Sequence, residues 1–133
     1  TLATPLVWML HAAYAWKVVH LALRGLSALD LLAGSYANHV LAVGAIGGLT
    51  LGMMTRTARG HTGRALIADG FELTVFLLIQ VAAVVRAFGG IASPGLYLAS
   101  VQVSALLWAA AFGLYAVRYW PVLTCPRLDG KPG

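Results

Sequence analysis

Four long apolar runs, each about the length of a bilayer-crossing helix, make up most of this 133-residue chain. They cover approximately residues 2–23, 36–55, 66–88 and 96–119. Crossing the hydrocarbon core takes about 20 residues of helix. The runs are continuous, rich in Ala and Leu, and lack period-two alternation, which excludes strands. The breaks hold the turn-forming and polar residues: Arg24-Gly25 with Asp30, then Arg56 to Arg64, then Gly89-Gly90 with Ser93-Pro94-Gly95. Only 10% of residues are charged, against roughly a quarter in soluble domains, so the chain cannot cover a water-facing surface. The reading is an all-α integral membrane protein: one four-helix transmembrane domain over residues 1–133, with a tail at 120–133. There is no room for a separate soluble domain and no sign of a removable leader. A start at Thr1 is read as the C-terminal portion of a larger polytopic bundle.

Charge placement sets an expected orientation. Arg56, Arg59 and Arg64 follow the second run, while Arg118, Arg127 and Lys131 close the chain. The other two connections hold one arginine each, Arg24 and Arg86. The positive-inside rule puts the second connection and both ends in the cytoplasm. Reporter fusions near Arg59 and Asp30 check this, because an external signal at Arg59 reverses it. The net charge of +5 then reflects topology and anionic headgroups, and calls for no nucleic acid. The single Cys125 cannot form an internal disulfide.

Ionisable groups inside a membrane are functional candidates by default, since each is expensive unless paired or ligated. The histidines are His11, His20, His39 and His61. His11 falls near the middle of the first run, His20 about a turn inside its outer end, and His39 about a turn inside the start of the second. His20 and His39 are therefore expected at one level on neighbouring helices, the geometry for a metal or haem held between them. His11 and His20 cannot share one iron, because nine residues place them roughly 13 Å apart and on opposite faces. A self-contained dihaem bundle is not expected, because only the first helix carries two membrane histidines. The plain alternative is a histidine that hydrogen-bonds across an interface or reaches for headgroups, and for His20, with Lys17 and Arg24 nearby, that alternative leads. His39 leads among the functional readings, on a face that continues through Val43, Ile46, Thr50 and Met53.

Gly44, Gly48 and Gly52 form a small-xxx-small rib, which reads as a close helix contact or as room for a planar cofactor. Met53 and Met54 offer soft thioethers suited to Cu(I), though such a pair more often simply packs. The stretch from Thr55 to Arg64 reads as a basic, glycine-bearing loop in which Arg56, Arg59, Gly60, His61, Gly63 and Arg64 suit an anion such as a haem propionate or lipid phosphate. Thr62 is expected to cap the third helix, and Asp69 and Glu72 to pair with the loop arginines. Gln80, Ser100, Gln102 and Ser104 are expected to bond between helices, at about 1 kcal/mol each. No catalytic constellation, P-loop or dinucleotide fingerprint is present, so a conventional enzyme is not expected.

Asn38-His39 through Gly44-Ala45-Ile46-Gly47, Met53-Met54-Thr55-Arg56 and Gly60-His61-Thr62-Gly63-Arg64 resemble the signature of the NnrS family. The ending Pro121-Val122-Leu123-Thr124 with Pro126-Arg127-Leu128-Asp129-Gly130-Lys131-Pro132-Gly133 is similar to that family's ending, and Leu10-His11 with Tyr14 and Trp16 also fits. The resemblance implies a longer bacterial inner-membrane protein containing haem and copper, linked to nitric oxide, nitrosative stress and denitrification. It implies as partners the bilayer, the remaining helices and nitric oxide itself. It carries over His11, His39 and His61 with Arg56, Gly60, Gly63 and Arg64, while His20 rests on geometry alone. Met53 and Met54 stand beside His39 and His11 as candidate metal ligands. His39 is expected to matter more than His20 for cofactor content. The competing reading is a cofactor-free transporter or packing module.

Overall fold

The computed structural model describes residues 4–130. Leu2 and Lys131, used above for the first run and the basic tail, lie outside them. Among the described residues the chain is helical without strands, and four helical rods are long and apolar enough to cross a membrane.

The first, α1 (Pro5–Ala28), starts with proline at its first turn, where a missing N–H costs nothing. The second is a continuous rod of three parts: α2 (Gly34–His39), a π-helical stretch (Val40–Gly47) and α3 (Gly48–His61). It spans 28 residues, about 42 Å at 1.5 Å per residue, and so outruns a core of about 30 Å. Arg56, Arg59, Gly60 and His61 are thus on helix rather than in a loop, at an end the hydrocarbon need not cover. The turn proper is Thr62–Gly63, with Gly63 at φ +72°, a left-handed conformation natural only to glycine.

An extended segment then leads to α4 (Gly70–Ala92), which begins later than the apolar run. The reason is a capping box. The Asp69 carboxylate accepts from the Phe71 and Glu72 amides, and Glu72 accepts from the Asp69 amide. Thr62 does not cap this helix. Its hydroxyl donates back to the Ala58 and Arg59 carbonyls, closing the preceding rod. After Ser93 a single 3-10 turn (Pro94–Leu96) reverses the chain into α5 (Tyr97–Thr124). Arg118 therefore stands inside α5, and Pro121 in its last turn.

The second rod and α4 are the inner pair. α1 packs on the second rod, and α5 on α4, and both leave much of their surface exposed. The main core joins Met9 and Ala13 of α1, Leu51 of α3, Phe76 and Ile79 of α4, and Tyr115 of α5.

The glycine rib is a packing groove for α1. A Cβ on Gly44 would meet the Trp16 ring at 2.6 Å, one on Gly48 the Ala13 Cβ at 2.8 Å, and one on Gly52 the Leu10 Cδ2 at 2.9 Å. Three successive knobs of α1 fill three successive gaps, so the space is taken by protein and not left for a planar cofactor. Trp16 also donates its indole N–H to Gln80 Oε1 at 2.8 Å, tying α1 to α4. Ser104 donates to the Ala82 carbonyl at 2.8 Å, between α5 and α4 as expected. Ser100 instead bonds within α5, to Tyr97, and Gln102 is exposed.

Candidate functional site

Polar chemistry gathers at the two ends of the bundle. At the end where the second rod begins, His20 reaches across to that rod and its Nδ1 donates to the Ala37 carbonyl at 2.8 Å. A carbonyl only accepts, so Nδ1 carries a proton, and the neutral tautomer compatible with this bond has its lone pair on Nε2. His11 is arranged alike, its Nδ1 donating to the Val7 carbonyl at 2.8 Å on its own helix. His11 is exposed, on the outer surface of the four helices.

His39 differs. Its Nε2 is held by an Arg86 guanidinium N–H from α4. A guanidinium only donates, so His39 Nε2 accepts and its lone pair is engaged. His20 and His39 do stand near one level, since His20 bonds two residues before His39. Their rings serve different partners, however. Arg86 also lies near Tyr97, with Nη2 at 3.4 Å from the hydroxyl and Cζ at 5.3 Å from the ring centroid. Reasoning from sequence passed over Arg86, treating it as a mark of the connection that follows.

The expected face from His39 through Ile46, Thr50 and Met53 is not continuous. The π-helical turn intervenes, and Ile46, Thr50 and Met53 are exposed while His39 faces α4.

At the opposite end, residues singled out from the sequence line three hollows. Met53, Met54 and His61 line one of about 640 Å³, walled also by Tyr115. Met53 and His61 recur beside a smaller hollow with Arg56 and Gly60. Arg59, Arg64 and Arg118 surround a second cavity of about 420 Å³, with Glu72, Tyr119 and Cys125 in its wall.

Glu72 is buried and accepts four hydrogen bonds: from Arg59 Nε at 2.7 Å, Arg59 Nη2 at 3.0 Å, the Asp69 amide, and the Tyr119 hydroxyl. The expected ion pairs of Asp69 and Glu72 with the arginines are present. Arg118, not foreseen as a partner, adds a looser one to Asp69 at 3.6 Å. Arg64 Nη1 is buried without a hydrogen-bond partner.

The tail folds back onto this end. The Leu128 amide donates to the Thr62 carbonyl at 3.2 Å, and Asp129 packs on Gly63, where a Cβ would stand 2.9 Å from its carboxyl carbon. Asp129 accepts two hydrogen bonds from Arg127, which holds that guanidinium's pKa above its ordinary value. The Gly60–Arg64 segment and the Pro126–Gly130 ending, far apart in sequence, are thus one structural unit.

Among the described residues no three His, Cys, Asp or Glu side chains gather as a metal site. A family model described as NnrS protein matches residues 1–127. No curated protein and no solved structure matches the chain.

Proposed function

The chain belongs to the NnrS family, and on that premise we propose that it is the membrane core of a haem- and copper-containing protein of the nitric oxide response. The observation that carries the reading is the hydrogen bonding of His20. Its Nδ1–H is fixed by a backbone carbonyl of the neighbouring rod, and Nε2 is left with its lone pair. Metal-ligating histidines are oriented in this way, with the distal nitrogen held by a carbonyl or carboxylate. His11 meets the same requirement and faces outward, where further helices of a longer protein would pack.

These two imidazoles fit haem iron better than His39, which ligates only after Arg86 gives up its Nε2. That shifts the weight from His39 to His20. The thioethers of Met53 and Met54, with His61 on the same cavity wall, fit a soft ion such as Cu(I). The cavity among Arg59, Arg64 and Arg118 fits an anionic group, a propionate or a lipid phosphate. When bound between these residues, the metal would supply a centre able to take up nitric oxide, a small apolar gas that partitions into the bilayer. The chain's own work is to orient the imidazoles.

The full-length protein purified from membranes is expected to show a haem Soret band. On quantified, folded protein, His20→Ala should lower haem content at least severalfold, and His39→Ala should lower it less. A colourless, metal-free wild-type preparation refutes the cofactor reading and leaves a cofactor-free transporter or packing module. Unchanged haem in His20→Ala refutes the assignment of that residue.

A further inference from the structure

Arg86 carries a charge that nothing in the described chain balances. Its side chain lies where the second rod, α4 and α5 meet, and the residue is only 9% exposed. Nη2 is spent on His39 and Tyr97, both neutral, while Nη1 is buried with no hydrogen-bond partner. The chain has four carboxylate side chains in all. Asp69 and Glu72 open α4, and Glu72 stands fourteen residues before Arg86, roughly 21 Å along the helix axis. Asp129 is docked at Gly63. Asp30 is exposed, and none of the ion pairs includes it or Arg86.

A guanidinium does not shed its proton at any physiological pH, so it cannot become neutral as a buried lysine does. Leaving such a charge buried and unpaired is strongly unfavourable. Beside it lies a cavity of about 340 Å³ whose walls include Ala42, Val43, Arg86, Val101, Ser104 and Trp108. That volume is at the small end for ligand sites. Apart from Arg86 the wall is chiefly apolar, and Ser104 spends its hydroxyl proton on Ala82.

We propose that Arg86 and this cavity form a binding site for a small planar oxyanion or carboxylate. Planar anions match the fork of a guanidinium, and charge-assisted bonds to it are roughly twice as strong as neutral ones. His39 and Tyr97 act as positioning residues, which hold one arm of the fork and leave the other for the anion. The site needs no metal, since charge and the planar fork of Arg86 suffice to hold the anion.

The test uses the full-length protein in detergent, in chloride-free buffer, titrated calorimetrically with sodium nitrate and with sodium formate. Two variants accompany it: Arg86→Gln, which removes the charge, and Ala105→Phe, which fills the cavity from its exposed α5 wall without touching Arg86. Saturable binding to wild type, weakened at least tenfold in both variants, identifies a free oxyanion. A carboxylate-bearing molecule released near one-to-one from denatured wild type, and lost from both variants, identifies a carboxylate on a larger group. Either result supports the site, and Ala105→Phe keeps the test valid if Arg86→Gln fails to fold. Wild type that neither binds nor releases an anion overturns the proposal, as does binding that Ala105→Phe leaves unchanged.

Discussion

Gly48→Leu should destabilise the bundle by forcing α1 off the glycine rib. A Cβ at this position stands 2.8 Å from the Ala13 Cβ and 3.0 Å from Gln80 Nε2. Carbon contacts are comfortable at about 3.5–4.0 Å, so even one added carbon forces α1 away by roughly 0.7 Å or more. The Ala13 Cβ is fixed to its backbone and cannot swing aside. Overpacking of this kind costs about 1–3 kcal/mol. Displacing Gln80 also endangers the Trp16–Gln80 bond, worth about 1 kcal/mol between membrane helices. The two together give about 2–4 kcal/mol, readable as a lowered midpoint in thermal unfolding of the detergent-solubilised protein. Gly113, inside α5 where a Cβ meets nothing within 4 Å, supplies the control, and Gly113→Ala should not lower the midpoint. A sharper check is the cycle of Gly48→Ala with Ala13→Gly. Removing the Ala13 Cβ leaves the new methyl facing Ala13 Cα at 3.6 Å, an ordinary contact. The double variant should therefore be more stable than the sum of the single losses. Strict additivity, or a wild-type midpoint for Gly48→Leu, would show that α1 does not sit on the rib.

Glu72→Ala leaves the Arg59 guanidinium without its bidentate partner in a largely buried position, and should cost about 3–5 kcal/mol in the same assay. Glu72→Gln, which removes the charge but keeps the shape and one acceptor oxygen, should recover only part of that loss, and a wild-type midpoint for Glu72→Gln would mean the charge is irrelevant. Deleting Ala42, an exposed residue inside the π-helical stretch, should rotate α2 by about 100° relative to α3. His39 then leaves Arg86, so engineered cysteine pairs that cross-link His39 to Arg86 in an otherwise wild-type background should fail to link in the deletion, and continued linking would sink the idea.

The existence and number of the helices were legible because nothing but a bilayer suits four such apolar runs. Their ends were not, for two physical reasons. Arg56 and Arg59 look like a boundary, yet a helix that projects past the hydrocarbon tolerates arginines at no penalty, and the rod runs on to His61. Asp69-Gly70-Phe71-Glu72 was readable as a capping box and would have placed the start of α4 correctly. Among the site residues, the pairing of Arg59 with Glu72 followed from the cost of a lone membrane carboxylate. Arg86 was missed because a charge near the end of an apolar run looks like a border post. Only the packing of three helices shows it to be buried.

The π-helical stretch is what joins the rib to the histidine end. In an unbroken α-helix His39 and Gly48, nine residues apart, would stand on opposite faces, about 180° from each other. In the structure both meet α4, His39 at Arg86 and Gly48 beside Gln80. Each residue of a π-helix turns the chain through less than an α-helical residue does, because its bonds reach i+5 rather than i+4. Over the eight residues Val40–Gly47 the lag carries His39 round toward α4. The wider turn is energetically poorer than an α-turn and needs compensation. Here Val40 is fully buried against Leu23 and Ala87, and Gly44 lies under the Trp16 ring. The glycines thus do two things at once. They let α1 approach the rod, and that approach holds open the turn that aims His39 at Arg86. A packing defect in the rib is therefore also a defect at the histidine end.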